Sequence, residues 1–357
     1  MKNVLVTGGA GFIGSNFIHY LLAERSDVYI VTLDALTYAG SLENLKDLSG
    51  SIRHTFVQGN ICDNALIANL LRQHQIDTII HFAAESHVDR SILGPAPFIQ
   101  TNVVGTFNLL ESARLVWGEN GGFEGRRFHH ISTDEVFGSL GPTDPPFSET
   151  TPYDPRSPYS ASKAGSDHLV RAYFHTYGLP VTLTNCSNNY GPYQFPEKLI
   201  PLMILNAIRG KQLPIYGDGR QIRDWLHVED HCRAIHLVLT KGRVGETYDV
   251  GGGNEPTNLE VVRLICVILD DLHPSGSPHD RLLTNVPDRL GHDRRYAIDT
   301  TKIKNELGWQ PRYALESGLR ATIEWYLNHS EWVDEILQQP TYGSWLEQNY
   351  VKRGGAQ

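Results

Sequence analysis

The sequence has few cysteines and no metal-binding pattern. Its 357 residues include only four cysteines, which are scattered without a CxxC pair: Cys62, Cys186, Cys232 and Cys266. This spacing argues against a disulfide framework and a structural zinc site, and it favours a reducing cytoplasm as the location. The 16 histidines include no HExxH motif or comparable ligand spacing, so we predict no metal.

An excess of basic charge and a long apolar run are also missing. The 31 Lys and Arg residues are outnumbered by 40 Asp and Glu residues, which gives a net charge of −9. Because sequence-independent nucleic-acid binding needs a basic face, we predict no nucleic-acid partner. No apolar run approaches the roughly 18 residues of a membrane helix. The short apolar N-terminus leads directly into glycines, which favours a buried strand over a signal peptide. We therefore predict no membrane partner.

Short β-branched runs alternate with amphipathic segments through the first half of the chain. Six runs are predicted to be buried parallel strands: Val4–Thr7, Tyr29–Leu33, His54–Val57, Thr78–Phe82, Phe128–Ser132 and Val181–Asn185. Four segments are predicted to be helices: Gly14–Glu24, Asn64–Gln73, Thr101–Trp117 and Ser157–Tyr177. This alternation predicts an α/β fold with a doubly wound parallel (Rossmann) sheet.

The alternation ends near residue 186, after which proline and glycine become frequent. We therefore predict a Rossmann domain from residues 1–186 together with parts of 220–250. A smaller, discontinuous substrate-binding region is predicted to consist mainly of residues 187–219 and 251–340.

A glycine-rich turn joins the first predicted strand to the first helix. Gly8 permits a tight turn, Gly11 lets the backbone approach a pyrophosphate, and Gly14 allows close contact between helix and strand. A glycine triplet alone is a weak signal, because a turn without any ligand can have the same pattern. Asp34 strengthens the dinucleotide interpretation, since it ends the second strand where a carboxylate can bind ribose hydroxyls. Because Ala35 follows and no Arg is near, NAD is favoured over NADP.

A second pattern places a tyrosine and a lysine on one helix face. Tyr159 and Lys163 are four residues apart, which brings their side chains to the same side of a helix. The Lys163 ammonium is expected to lower the pKa of Tyr159, so that the phenolate can take a proton from an alcohol. The alternative is an ordinary surface Tyr and Lys.

The glycine turn and the Tyr159–Lys163 pair together resemble the extended short-chain dehydrogenase/reductase family. In that family a Ser or Thr at the end of the fifth strand completes the catalytic set, and Thr133 occupies that place. The resemblance covers nearly the whole chain.

Two adjacent carboxylates follow Thr133. Asp134 and Glu135 lie at the carboxyl end of a predicted central strand, where open α/β sheets bind their ligands. Two acids whose surroundings separate their pKa values suit a reaction that needs both an acid and a base. The alternative is that one of them merely caps the following helical turn.

The Thr133–Asp134–Glu135 triplet closely resembles the signature of the dTDP-glucose 4,6-dehydratases within that larger family. The segments 82–91, 188–201, 213–225 and 288–296 resemble the parts of those enzymes that line the nicotinamide, the sugar and the diphosphate. Two positions depart from the pattern: Asn60 stands where an Asp is frequent, and Leu290 replaces a common Pro. The Asn60 carbonyl can still accept a bond from the adenine amine.

The motifs and the resemblance together assign the candidate site. The catalytic set is Thr133, Asp134, Glu135, Tyr159 and Lys163. The predicted NAD-binding residues are Gly8, Gly11, Phe12, Ile13, Gly14, Asp34, Asn60, Ile61, Ala83, Ala84, Thr101, Tyr159, Lys163 and Asn189. The predicted binding residues for a nucleotide-diphosphate sugar are Ser86, Thr133, Asn188, Lys198, Leu199, Pro214, Tyr216, Arg223, Asn258, Asp288, Arg289 and His292. Lys198, Arg223 and Arg289 are read as a diphosphate clamp, although each alone could be a solvated surface cation.

The resemblance implies a 4,6-dehydration of dTDP-glucose in which NAD is regenerated, and therefore a lyase. A homodimer formed by the helices Thr101–Trp117 and Ser157–Tyr177 is also expected from the family. The sequence alone leaves two alternative functions open. A UDP-hexose 4-epimerase would share the cofactor and the Tyr–Lys pair but would not need Asp134 and Glu135. A non-catalytic NAD-sensing regulator would need none of the catalytic groups.

Overall fold

The structure is a computed structural model that describes residues 1–119, 121–288 and 292–338. It contains eleven strands in the described residues: β1 Asn3–Thr7, β2 Tyr29–Asp34, β3 His54–Gln58, β4 Thr78–His81, β5 Arg127–Thr133, β6 Val181–Cys186, β7 Asn188–Tyr190, β8 Leu213–Tyr216, β9 Trp225–His227, β10 Thr247–Val250 and β11 Leu283–Val286. Seven of them form one parallel sheet in the order β10-β6-β5-β4-β1-β2-β3.

The helices of the described chain are α1 Phe12–Glu24, α2 Asn64–Gln73, α3 Val88–Leu93, α4 Ala96–Phe98, α5 Thr106–Glu119, α6 Pro158–Tyr177, α7 Leu199–Ile208, α8 Val228–Lys241, α9 Asn258–Leu272, α10 Thr301–Leu307, α11 Leu315–Asn328 and α12 Ser330–Leu337. A π-helical segment, Ile99–Gly105, joins α4 to α5. Short 3-10 helices occupy Leu42–Leu48, Asp134–Phe137 and His279–Leu282. None of the helices in this part of the chain is both long and apolar enough to span a bilayer.

The doubly wound parallel sheet predicted from the sequence is confirmed, with two corrections. The sheet has seven strands rather than six, because β10 adds to the far side of β6 in register Asp249↔Asn185. Strand β3 is at the opposite edge and is only half buried, so the prediction that all six strands are buried is wrong there.

Alternation of side chains across the sheet produces a core on each face. Leu5 packs with α2, α5 and α6 on one face, whereas Val4 and Val6 pack with α1 and α8 on the other. Both groups of residues are fully buried, which is why these strands have almost continuous β-branched and aliphatic sequences. The result is a three-layer arrangement that fixes the carboxyl ends of β1, β4, β5 and β6 along one edge.

A separate apolar core lies outside the sheet. It joins residues of α7, β8, α9, α11 and α12, from Tyr190 to Ile336. Two small parallel pairs, β8 with β11 and β7 with β9, accompany it. The apolar surface buried here stabilises the segments that face the carboxyl edge of the large sheet.

Two helical glycines provide a test of how tightly α1 packs on the sheet. A Cβ added at Gly14 would lie 2.3 Å from the Gly8 carbonyl oxygen, whereas one at Gly118 in α5 would meet nothing within 4 Å. Gly14→Ala is therefore expected to lower the free energy of unfolding by about 1–3 kcal/mol through overpacking. Gly118→Ala, the matched control, is expected to leave it unchanged or raise it by up to about 1 kcal/mol, because Ala favours helix. Denaturant unfolding of both variants measures this, and equal effects would contradict the packing account.

Candidate active site

The glycine turn forms a close junction between β1, α1 and β4. Gly8 has a φ of +70°, and a Cβ there would lie 2.5 Å from the backbone nitrogen of Ala83. Gly11 is the N-cap residue of α1. Because glycine has no side chain, Gly11 cannot cap the N–H groups of the first helical turn. These N–H groups and the positive end of the helix dipole are suited to bind a phosphate.

Asp34 lies at the end of β2 beside this turn. Its carboxylate oxygens accept hydrogen bonds from the backbone N–H groups of Ala10 at 2.9 Å and Leu36 at 2.8 Å. Burial raises the pKa of Asp34 above its ordinary value, while the two backbone N–H groups oppose that shift. The bonds hold the carboxylate in a defined orientation at the cavity wall.

Two adjoining cavities lie along the carboxyl edge of the sheet. The larger has a volume of about 310 Å³, and every residue of the predicted NAD-binding and catalytic sets lines it. The smaller has a volume of about 160 Å³. Its lining includes nine of the predicted sugar-nucleotide residues: Ser86, Asn188, Lys198, Leu199, Pro214, Tyr216, Arg223, Asn258 and His292. The cavities share the walls formed by Ser86, Glu135, Asn188, Asn189, Gln194, Glu197 and Lys198.

Three of the predicted sugar-nucleotide residues are not among this lining. Thr133 lines the larger cavity rather than the smaller one. Asp288 lines neither cavity; it is exposed, accepts a hydrogen bond from Gln221 at 3.0 Å and binds the His292 ring nitrogen Nδ1 at 2.6 Å. Arg289 lies outside the described residues, as does the neighbouring Leu290.

The triplet at the end of β5 is held by its own turn. The Thr133 hydroxyl accepts the N–H of Glu135 at 3.3 Å, so Thr133, and not either acid, caps the 3-10 helix Asp134–Phe137. The Thr133 hydroxyl also donates to the Asp134 Oδ1 atom at 3.3 Å. The Oδ2 atom of Asp134 is buried without a hydrogen-bond partner among the described residues.

Burial controls the ionisation of Asp134, whose exposed fraction is 1%. Burial raises the pKa of Asp134 well above its ordinary value, and the nearby charges of Glu135 and Asp224 raise it further. Asp224 is itself buried, with a pKa raised to about 7, and sequence reasoning did not single it out. The surroundings of Asp134 therefore favour its protonated, proton-donating form.

Tyr159 and Lys163 lie on the first turns of α6. The helix begins with a capping box in which Ser157 and Ser160 exchange hydrogen bonds. Tyr159 is 8% exposed. Burial raises the pKa of Tyr159 well above its ordinary value, the charge of Glu135 raises it further, and a hydrogen bond with Thr133 opposes both.

The expectation that Lys163 lowers the pKa of Tyr159 is therefore wrong for the chain by itself. Desolvation has the largest effect on the pKa of Tyr159 and raises it, and the Lys163 Nζ atom donates to the carbonyl oxygen of Ile131 at 2.8 Å. Burial also lowers the pKa of Lys163.

A buried polar network behind Lys163 was not predicted from the sequence. Asp167 accepts hydrogen bonds from Ser132 at 2.8 Å and Tyr153 at 2.9 Å, and lies 3.2 Å from the ring of His130. His130 lies 3.4 Å from the Lys163 Nζ atom. Asp167 follows Lys163 by four residues, so helical spacing could have indicated their shared face.

The second cavity contains a buried cation. Arg223 is 5% exposed, donates to the carbonyl oxygens of Ile222 at 2.7 Å and Asp293 at 2.9 Å, and lies 4.2 Å from the centre of the Tyr296 ring. Arg223 is therefore not a solvated surface charge. Lys198 donates to the Ser86 carbonyl oxygen at 3.3 Å, and both residues belong to the wall that the two cavities share.

Asn60 and Asn189 are already held by neighbours. The Asn60 Oδ1 atom accepts the N–H of Cys62 at 2.8 Å, which leaves one lone pair for a further donor. The Asn189 Oδ1 atom lies 2.9 Å from the Nδ1 atom of His231. Both side chains are thus oriented at the wall of the larger cavity.

Comparison with known proteins gives a consistent family. The sequence profile of the family described as GDP-mannose 4,6 dehydratase matches residues 5–322. The chain is 57% identical over 360 residues to the dTDP-glucose 4,6-dehydratase of Salmonella typhimurium, which covers 98% of this chain and 99% of that one.

Solved structures agree with the sequence comparison. The dTDP-glucose 4,6-dehydratase of Streptomyces venezuelae, solved with NAD bound, has a TM-score of 0.85 and 48% identity, covering 94% of this chain and 100% of that chain. The UDP-glucose 4-epimerase of Thermotoga maritima, solved with UDP-glucose, has a TM-score of 0.81 but only 30% identity, covering 92% and 99%. The chain therefore belongs to the family of the dTDP-glucose 4,6-dehydratases.

Proposed function

We propose that this protein converts dTDP-glucose to dTDP-4-keto-6-deoxyglucose. The reaction consists of oxidation at C4, loss of water across C5 and C6, and reduction at C6, so it is a lyase reaction. One observation supports it most strongly: Asp134, whose burial raises its pKa well above the ordinary value, adjoins Glu135 in the same cavity as Thr133, Tyr159 and Lys163. A pair of carboxyl groups beside an alcohol-oxidising tyrosine suits an elimination that follows an oxidation.

The larger cavity fits NAD. The uncapped first turn of α1 suits the pyrophosphate, and Asp34 suits the adenosine ribose. We assign the remaining contacts to Lys163 for the nicotinamide ribose, and to Asn60, Ala83 and Thr101 along the cavity wall. When bound, NAD supplies hydride acceptance from C4 and hydride return to C6.

Tyr159 and Thr133 act on the sugar 4-oxygen in this proposal. Tyr159 takes the proton of the 4-hydroxyl as its phenolate, a form that the positively charged nicotinamide ring of bound NAD would favour, and Thr133 polarises the same oxygen with its own hydroxyl. Lys163 orients the site, since its ammonium is fixed on the Ile131 carbonyl oxygen at 2.8 Å.

Glu135 and Asp134 carry the elimination. The ketone at C4 acidifies the C5 proton, which the Glu135 carboxylate removes. Asp134 then protonates the departing C6 hydroxyl, a role that its raised pKa supports. Glu135 later returns a proton to C5.

The smaller cavity is proposed to hold the nucleotide diphosphate. Arg223 and Lys198 provide cations at its wall, and we include Arg289 from the sequence. An Arg guanidinium can bind two phosphate oxygens at once, and the contacts of Arg223 with Tyr296 and Asp293 leave it pre-oriented. Asn188, Asn258, Tyr216 and His292 complete this proposed wall, with Asp288 holding His292 in place.

The two alternatives from the sequence have less support. The epimerase compared above is less similar in sequence than the dehydratase structure, and epimerisation has no use for Asp134 and Glu135. A regulator that only senses NAD would not need catalytic groups, yet all five residues of the predicted catalytic set line one cavity.

We further propose that the chain consists of a Rossmann domain, residues 1–186 with parts of 220–250, and a sugar-nucleotide region, mainly residues 187–219 and 251–340.

We also propose that the protein is a homodimer in the cytoplasm. The helices α5 and α6 and the adjoining π-helical segment carry five exposed large apolar side chains: Ile99, Val104, Phe107, Leu115 and Tyr177. Such a patch is typical of an interaction surface. Sedimentation equilibrium should give the mass of two chains, and a monomer mass at micromolar concentration would contradict the proposal.

A comparison of substrates tests the proposed function. The purified enzyme is expected to act on dTDP-glucose in preference to UDP-glucose and GDP-glucose, and without added reductant. Proton NMR of the product should show a methyl doublet, because C6 loses its hydroxyl. Retention of the C6 hydroxymethyl group would support the epimerase, and no turnover of any nucleotide-hexose would revive the regulator.

Asp134→Asn should separate oxidation from elimination. The amide keeps its size but cannot protonate the leaving hydroxyl, so loss of water is expected to slow by about 10²–10⁴-fold. C4 oxidation depends on Tyr159 and should remain measurable. A single turnover should therefore show transient absorbance of the reduced cofactor with little keto-deoxy product.

Tyr159→Phe is the matched control for this experiment, because it should prevent the reduced cofactor from appearing at all. Equal slowing of both steps in Asp134→Asn, or slowing of neither, would contradict the assignment of Asp134 as the general acid.

A further inference from the structure

A buried histidine that takes no part in the proposed reaction lies behind the larger cavity. His231 belongs to α8 and is fully buried, and its Nδ1 atom lies 2.9 Å from the Oδ1 atom of Asn189. The other ring nitrogen, Nε2, is buried without a hydrogen-bond partner in the part of the chain that the structure describes. The hydrogen bonding of this ring is therefore directed at Asn189.

The local fold brings His231 next to Asn189. Strand β7, which carries Asn189, pairs in parallel with β9 in register Asn189↔Leu226. Strand β9 ends at His227 and α8 begins at Val228, so the first turn of that helix lies beside β7. The contact is thus a consequence of the strand pairing.

The neighbours of Asn189 determine which way its amide points. Its Nδ2 atom donates to the carbonyl oxygen of Ser187 at 2.9 Å. Because a carbonyl oxygen can only accept, this side of the amide carries the N–H groups, and Oδ1 faces His231. Since Oδ1 can also only accept, the His231 Nδ1 atom must carry the ring proton and donate it. Burial lowers the pKa of His231 to about 3, so the ring stays neutral at pH 7.

The second N–H of the Asn189 amide is available to a ligand. Its partner is the Cys186 Sγ atom at 3.4 Å, and a sulfur atom is a weak acceptor. Cys186, Ser187 and Asn189 all line the larger cavity. An acceptor oxygen of bound NAD can therefore replace the sulfur. If the amide were rotated by half a turn, Oδ1 would face that oxygen and repel it.

We propose that His231 is a positioning residue for NAD, because it holds the Asn189 amide with an N–H group, and not the oxygen, towards the cofactor. The Ser187 carbonyl and His231 act on opposite ends of this amide. Loss of His231 leaves the Asn189 oxygen without its donor and permits the amide to rotate. The inference rests on the proposed function, which places NAD in the larger cavity.

His231→Asn and His231→Gln form a matched pair that tests this proposal. Both variants replace the ring by a primary amide, but the amide nitrogen of Asn reaches the place of Nδ1, whereas that of Gln reaches the place of Nε2. Each holoenzyme is mixed with an excess of isotopically labelled NAD, and mass spectrometry of the protein-bound cofactor gives the rate of NAD exchange. Circular dichroism confirms that each variant is folded.

The two variants are expected to differ in their exchange rates. His231→Asn should exchange NAD at about the wild-type rate, because it keeps a donor for Asn189. His231→Gln should exchange NAD about 10-fold faster or more, as expected when a buried acceptor loses its donor. Equal exchange rates in the two variants would overturn the proposal.

Asn189→Ala and the double variant Asn189→Ala/His231→Gln show whether His231 acts through Asn189. Asn189→Ala should accelerate NAD exchange by itself, and adding His231→Gln should then have no further effect, because no amide remains to be held. A merely structural His231 would accelerate exchange by the same factor in both backgrounds, and that result would overturn the proposal.

The unmodified enzyme provides a test that does not depend on the folding of any variant. NMR of enzyme with ¹⁵N-labelled histidine should show the His231 proton on Nδ1, and a proton on Nε2 would overturn the proposal. None of these measurements requires turnover. Wild-type enzyme that forms no keto-deoxy product from dTDP-glucose would overturn the proposed function, whereas the predicted exchange rates would still support the role of His231 in binding NAD.

Discussion

The position of Thr133 at the carboxyl end of β5 is the constraint on which the rest of the site depends. Strand β5 lies between β4 and β6, and Asn185 in β6 donates to the Thr133 carbonyl oxygen at 3.1 Å. The Thr133 hydroxyl then caps the turn that presents Asp134 and Glu135. The sheet therefore fixes the two acids relative to α6, which carries Tyr159, without any long flexible loop.

Desolvation has the largest effect on the pKa values of the acid and the base in this site. The same burial raises the pKa values of Asp134 and Tyr159, so one group is kept as an acid and the other becomes a strong base once ionised. Such burial is unfavourable unless the surrounding polar groups are satisfied. On the inner side of α6, next to Lys163, the Asp167 Oδ2 atom accepts hydrogen bonds from Ser132 and Tyr153.

Much of this molecule could be predicted from local sequence patterns. The glycine turn, the six alternating strands and the spacing of Tyr159 and Lys163 depend on nearby residues, and the sheet formed as the pattern indicated. Strand β10 was missed because it lies beyond residue 186, where the alternation of strands and helices ends, and its pairing with β6 comes from tertiary packing.

Two properties of the site, the raised pKa of Tyr159 and the burial of Arg223, could not be predicted from local sequence because both depend on tertiary packing. The pKa of Tyr159 was expected to fall because sequence spacing reveals a nearby ammonium but not the depth of burial, which has the larger effect. Arg223 looked like an isolated loop cation, yet its packing on Tyr296 comes from a segment more than 70 residues away in the chain. Distant contacts of this kind have no local sequence signal.

Transfer of an isotope label within the sugar tests the central claim of internal oxidation and reduction most directly. The enzyme would be given dTDP-glucose that carries deuterium at C4, mixed with unlabelled substrate, and the product would be analysed by NMR and mass spectrometry. The account predicts that the deuterium appears on the C6 methyl group of the same sugar molecule. Deuterium retained at C4, or lost from the sugar altogether, would contradict it.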